Sequence, residues 1–202
     1  MSRLILLVEG QTEETALPRF FGRWLSRRRE SPPEISAVNF KGVGNYLKEY
    51  AQRAGRWLHS GEAIGVLGVL DLYGAQLDFP EEASTTDQKY AWAKQRLEAA
   101  VGDVRFRQHF AVHETEAWLL RDQTIFPAEV RSCLPTLPPE DVDFADPPSR
   151  RLARCYRESL GRPYAKVIEG RRLFARLDPE TAAERCPHLG LLLEDLLRLA
   201  GG

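Results

Sequence analysis

Two aliphatic runs constrain this chain most: "LILLV" at residues 4–8 and "AIGVLGVL" at residues 63–70. Both are apolar without alternation, both are short, and each stops at a carboxylate, Glu9 in one case and Asp71 in the other. A short run of that kind is the mark of a strand covered on both faces, which belongs in a parallel sheet between layers of helix. The intervening sequence meets that demand. After Glu9, the residues Ala16, Leu17, Phe20, Phe21, Trp24 and Leu25 recur at helical spacing, with Thr12 placed to cap the helix. "SPPE" at residues 31–34 breaks that pattern before a second strand over residues 35–40. Gly42 and Gly44 then turn the chain into a second amphipathic helix carrying Tyr46, Leu47, Tyr50, Ala51, Ala54 and Leu58. Beyond Asp71 come an acidic, proline-containing loop and a helix over residues 90–101. "VRFRQHFAV" at residues 104–112 alternates like a fourth strand before the spacing turns helical near Glu114. Such strand–helix alternation requires crossover connections, so the expected fold class is α/β, with a mostly parallel sheet of about four strands.

After residue 120 the character changes. A stretch rich in proline and acid reads as an irregular excursion with one short helix, and residues 150–157, 165–177 and 189–199 read as helices. The expected organisation is an α/β core over residues 1–122, with a helical extension over 123–202 packed on it as one structural unit. The 28 basic and 29 acidic residues nearly cancel, so the bulk positive charge of many nucleic-acid binders is absent. Arginine is nevertheless concentrated in "RWLSRRRE" (23–30) and "PPSRRLARCYR" (147–157), although a solvated helix face explains the first equally well. Cys133, Cys155 and Cys186 form an odd set without CxxC spacing, which fits reduced thiols better than a disulfide framework or a zinc site. No stretch approaches the ~20 apolar residues of a spanning helix, and the N-terminal run is too short for a signal peptide. A cytoplasmic protein without membrane contact is expected.

In an open parallel sheet, functional groups gather at the carboxyl ends of the strands. Here those ends carry Glu9, Asp71, and His113 with Glu114 and Glu116. Glu9 and Glu13 are four residues apart across a strand–helix turn, and Gly10 between them permits a tight one. Carboxylates brought together repel one another, and a divalent cation relieves that repulsion; hard oxygen ligands suit Mg²⁺ or Mn²⁺ rather than zinc. "HETEAWLL" is not a zinc-protease helix, because the residue four after His113 is Ala117. His113 is an auxiliary candidate for orienting a ligand or a phosphate. Lys166, in "GRPYAKVIEG", is the basic candidate for stabilising charge on a phosphate, and Arg150 and Arg151 are candidates for holding a backbone phosphate. Each of these residues has a plainer reading as a cap, a salt bridge or a surface charge; the coincidence of acids at several strand ends argues for a site. Walker A, GxSxG and GxGxxG sequences are absent, as is a Cys–His nucleophile pair.

The ordered set "LLVEGQTEE", "LDLYG", "HETEAWLL", "PPSRR", "YAK…G" and "RCPHL" resembles a bacterial family of unknown function with a TOPRIM-like core, over nearly the whole chain. TOPRIM domains occur in topoisomerases, primases and the overcoming-lysogenization-defect nucleases. The resemblance implies a TOPRIM/Rossmann-like sheet, and it aligns Glu9 with the TOPRIM glutamate as metal ligand and acid/base. Glu13 is similar to the second acid of an ExxxE element, and Asp71 to the first aspartate of DxD. Glu114 and Glu116 resemble ligands of a second metal, and Lys166 a downstream catalytic lysine. The second DxD position is Tyr73, a departure that leaves Asp78, Glu114 or Glu116 to supply the missing carboxylate. The implied activity is Mg²⁺- or Mn²⁺-dependent cleavage of nucleic acid, DNA ahead of RNA, in phage defence alongside a separately encoded ABC-type ATPase. A homo-oligomer is compatible with this. The alternatives are a binding subunit that keeps the scaffold without turnover, and phosphoryl chemistry on a small nucleotide.

Overall fold

A computed structural model describes residues 2–134 and 144–201. Four strands, β1 (Arg3–Val8), β2 (Glu34–Asn39), β3 (Gly65–Asp71) and β4 (Phe106–Ala111), form one sheet in the order β2-β1-β3-β4. Every pairing is parallel, with Leu6 opposite both Ala37 and Leu67, and Val69 opposite His109. The crossovers between strands are α1 (Gln11–Ser26), α2 (Val43–His59) and α3 (Thr86–Val101). Then follow α4 (Glu116–Leu119), a 3₁₀ turn (Gln123–Ile125), α5 (Ala128–Arg131), α6 (Pro148–Leu160), α7 (Lys166–Arg176), α8 (Pro179–Arg185) and α9 (Pro187–Leu199). The α/β parallel architecture with a helical C-terminal region is therefore as expected.

The two-residue period of β1 divides the core. Leu4, Leu6 and Val8 face a layer that contains α1 together with the C-terminal helices, whereas Ile5 and Leu7 face α2 and α3. Within the first layer Phe20 of α1 meets Phe174 of α7 edge to face, and Leu189, Leu192, Leu193 and Leu196 of α9 are fully or almost fully buried. The C-terminal helices thus cover one face of the sheet, and this fixes where the first residue of α7 must stand.

Several local expectations change. Thr12 does not cap α1: Gly10 is the N-cap, without a side-chain hydrogen bond, and Thr12 is buried inside the helix. Gly10 itself is extended (φ −129°, ψ 175°), a conformation open to any residue; its lack of a side chain leaves room for the Glu13 carboxylate, which would lie 2.8 Å from a Cβ there. The short helix α8, "PETAAER", has too little apolar periodicity to be read from sequence. Cys133 and Cys155 are joined as a disulfide, against the expectation of reduced thiols, because α5 and α6 pack together and bring their Cα atoms to 5.5 Å. Residues 135–143 of the proline-rich excursion lie outside the described residues.

Candidate functional site

The strand order reverses between β1 and β3, since β1 leads out to β2 on one side and β3 to β4 on the other. The crevice beyond the carboxyl ends at such a switch point is the default ligand position in an open α/β sheet. Glu9 follows directly on β1, Asp71 ends β3, and Val8 is paired with Val69, so the two acids emerge side by side. Glu13 joins them from the first turn of α1, and Lys166 comes in as the first residue of α7. Together with Thr115 these residues line a cavity of about 260 Å³. Thr115 Oγ1 donates to Glu13 Oε1 at 3.0 Å, which fixes the acid's orientation. Glu116 stands close behind, only 1% exposed.

The electrostatics of this corner are unbalanced. Burial pushes the Asp71 carboxyl well above its ordinary pKa, and Glu13 and Glu116 push it further, with only Lys166 acting the other way. Glu9 is raised by burial and by Glu13, against Lys166 and a hydrogen bond from the Val43 backbone N–H at the start of α2. Glu116 is raised by burial, with Lys166 opposing and Glu114 reinforcing. Burial works against the charge of Lys166, but Glu116, Asp71 and Glu13 outweigh it and raise its pKa, so the ammonium is held firmly protonated. Lys166 Nζ forms an ion pair with Glu116 Oε1 at 3.1 Å. Glu116 Oε2 has no hydrogen-bond partner among the described residues. A buried carboxylate oxygen without a partner is costly and uncommon.

The donor set fits a hard divalent cation: carboxylate oxygens in excess of positive charge, one of them orphaned. Among the described residues no three Asp, Glu, His or Cys side chains are gathered into a complete ligand cluster. Mg²⁺ does not require one, since it is usually held by one or two carboxylates and completes its octahedron with water and substrate phosphate oxygens.

A family model described as Domain of unknown function (DUF4276) matches residues 8–197. The chain belongs to this family. No curated protein matches the sequence. Among solved structures, the C-terminal region of the Burkholderia pseudomallei OLD protein aligns over 100% of both chains at 15% identity, with a TM-score of 0.54. The C-terminal region of the Xanthomonas campestris pv. campestris OLD protein aligns over 98% of this chain and 95% of that one, at 16% identity and a TM-score of 0.47. At such identities the likeness to the Burkholderia region is one of fold, and it accords with the TOPRIM-like core that the sequence resemblance implied.

In this DUF4276 member the remaining predicted residues have other surroundings. Glu114 is beside the cluster, but Ser149 occupies both its oxygens, the backbone N–H at 2.7 Å and the hydroxyl at 2.9 Å. It ties the "HETE" turn to the N-terminus of α6, where a negative charge is favoured. Tyr73 is turned toward α3, its hydroxyl 3.0 Å from Thr86 Oγ1 and its ring against Phe144. His113 is buried, with its ring also against Phe144. Asp78 is exposed and lies outside the cavity. Arg150 is exposed and donates to the Ala145 carbonyl, whereas Arg151 is buried and held by Asp146 at 3.1 Å. Of the two arginines predicted to hold phosphate, Arg151 fixes the turn before α6 and Arg150 stays at the surface. Thr115 was not singled out from sequence; its only signal was its position between the acids of "HETE".

Proposed function

We propose that this protein is a divalent-cation-dependent phosphodiesterase acting on nucleic acid, DNA ahead of RNA. One observation carries the reading: buried Glu116, with an orphaned oxygen, sits beside Asp71 and Lys166 at the switch point of a TOPRIM-like sheet. In this reading Glu9, Glu13, Asp71 and Glu116 hold Mg²⁺ or Mn²⁺. A cation so held supplies Lewis acidity and lowers the pKa of bound water. Thr115 keeps Glu13 aimed into the cavity, and Lys166 neutralises charge that builds on the phosphate in the transition state. Glu114 serves as a positioning residue, through Ser149, rather than as a ligand. Lys166 comes from the helical part, 123–202, and the acids come from 1–122, so the two parts act as one unit. The wider setting, a cytoplasmic phage-defence protein working with an ABC-type ATPase, rests on the family likeness alone. Among the described residues no helix is long and apolar enough to cross a membrane.

A second reading, a binding subunit that has lost turnover, is favoured by Tyr73. The position that would carry the second aspartate after β3 holds a phenol engaged with Thr86 instead. Incubating the protein with Mg²⁺ or Mn²⁺ and plasmid, single-stranded DNA or RNA separates the two, with Glu9→Gln and Asp71→Asn alongside. Cleavage by the wild type that both substitutions abolish supports the phosphodiesterase. Equal residual activity in all three proteins would remove the assigned site, and metal binding without cleavage, even with the ATPase added, would leave the binding subunit.

A further inference from the structure

We infer that a second, arginine-lined cavity between α1 and α7 is a phosphate-binding subsite that grips a nucleic-acid backbone a few nucleotides from the acid site. This rests on the reading that the acid site works on a phosphodiester. The cavity, about 300 Å³, is lined by Thr15, Arg19 and Arg23 of α1 and by Arg171, Arg172 and Phe174 of α7. Thr15, Arg19 and Arg23 are each four residues apart and so form one stripe along α1.

The two helices run side by side in the same sense: Gly170 lies against Thr12, Phe174 against Phe20, and the carbonyls of Phe174, Ala175 and Leu177 against Arg23. Gly170 is what permits the close approach, since a Cβ there would come within 2.8 Å of the Thr12 methyl. Because the helices are parallel, both contribute their first turns, with Glu13 and Lys166, to the acid site, and both contribute later turns to the arginine cavity. From Glu13 to Arg19, and from Lys166 to Arg172, is six residues, or about 9 Å along a helix axis. At ~3.4 Å rise per nucleotide of one strand, that is on the order of two to three nucleotides.

Half of the charge in the cavity is accounted for within the fold. Arg172 is paired with Glu169, and Arg23 caps α7 by donating to three carbonyls. Arg19 and Arg171 are exposed and have no hydrogen bond or ion pair among the described residues. Burial, reinforced by the neighbouring charges of Arg19 and Arg27 and opposed by Asp178, holds the Arg23 guanidinium below its ordinary pKa. An acid cluster needing a cation at the first turns of the two helices, and unpaired guanidinium groups in a separate cavity farther along them, suit a polyanion whose scissile phosphate sits at one end. Guanidinium groups recognise phosphate through paired, planar donors.

The test uses the full chain and two probes, a fluorescein-labelled DNA oligonucleotide bound in EDTA and a small phosphodiester, bis(p-nitrophenyl) phosphate, turned over in Mn²⁺. Arg19→Ala/Arg171→Ala removes only exposed side chains, and its melting temperature is compared with that of the wild type to confirm the fold. We expect roughly a tenfold or greater loss of oligonucleotide affinity. The slope of log K against log salt should fall by about 1.4 on single strands or 1.8 on duplex, which counts two lost phosphate contacts. Turnover of the small diester, too short to reach the cavity, should be unchanged. Unaltered affinity and salt slope in the double variant would overturn the subsite. Weakened oligonucleotide binding by a protein that cleaves nothing would keep the subsite and defeat the phosphodiesterase reading instead. An unchanged KM on a cleaved oligonucleotide would do the reverse.

Discussion

Two groups of buried charge lie in this sheet, and they are built on opposite plans. Beyond the carboxyl ends of β1, β3 and β4, Glu9, Glu13, Asp71 and Glu116 have Lys166 as their one cation among the described residues, and there one oxygen of Glu116 has no hydrogen-bond partner. Between β4, α3 and α9, Asp195 is surrounded instead. Its oxygens meet Lys94 Nζ at 3.0 Å, His109 Nε2 at 3.0 Å and Arg198 at 2.6 Å, while Lys94 also reaches Glu98 at 2.7 Å. Tyr90 completes the set through His109 Nδ1 at 2.7 Å. Burial alone would raise the Asp195 carboxyl, but His109 and Lys94 hold it well below the ordinary range. One cluster is satisfied and serves the fold; the other is left in deficit, which a fold alone has no reason to tolerate.

That contrast makes reciprocal predictions. Asp71→Asn should reduce metal-dependent cleavage by about 10³-fold, as expected for loss of a metal ligand in the transition state, and should leave the protein folded. Asp195→Ala should do the opposite. It strands Lys94 and Arg198 near a buried histidine, so denaturant unfolding should show a loss of about 3–5 kcal/mol, while any cleavage by the remaining folded protein proceeds at the wild-type rate. If Asp195→Ala abolished activity without loss of stability, the division between the two clusters would fail.

The pH dependence of stability sharpens the comparison. Burial pushes His109 down to about 4, so the folded histidine stays neutral where the unfolded one, near 6.5, already binds a proton. Its contribution is therefore fully present above about pH 6.5 and is lost as the pH falls toward 4, to the extent of about 3 kcal/mol. The acid corner has the reverse sign, because Glu9, Asp71 and Glu116 are raised and bind protons in the folded state before they do so in the unfolded one. Folding measured from pH 7 to pH 4 should thus lose less in the wild type than in Asp71→Asn, which retains the histidine but lacks one opposing acid. Parallel curves for the two proteins would mean that Asp71 is not under strain.

The acid corner was legible in the sequence for a physical reason. Strand runs without alternation disclose a parallel sheet, and such a sheet delivers whatever follows each strand to one edge, so Glu9 and Asp71 were readable as neighbours. The Asp195 cluster was not, because His109 and Lys94 lie 86 and 101 residues before it and each element shows only an isolated charge on an otherwise ordinary face. For the same reason Glu114 looked like Glu116. Only the fold brings Ser149 to one of them and sets the other against Lys166, with Oε2 lacking a hydrogen-bond partner among the described residues. The stripe of arginines on α1 was seen only as its later part, "RWLSRRRE", and that part is largely neutralised, with Arg27 paired to Asp178 and Arg28 to Glu180. The unpaired member, Arg19, lies one turn earlier and acquires meaning only from α7.

The smaller effects concern what relieves the deficit. If the acid corner waits for a cation, Mg²⁺ at about 100 times its Kd should stabilise the wild type by about 2.7 kcal/mol, seen as a rise in melting temperature absent from Asp71→Asn. Without the cation the same substitution should itself stabilise the fold by about 1 kcal/mol, because it removes one of several mutually repelling carboxylates while keeping the shape of the side chain. Asp195→Asn offers no such gain, since its carboxylate is the anion on which Lys94 and Arg198 depend. A melting temperature lowered by Asp71→Asn in EDTA would show that Lys166 and the neighbouring donors already balance this site. The orphaned oxygen of Glu116 would then be a tolerated defect of packing and not a place kept for an ion.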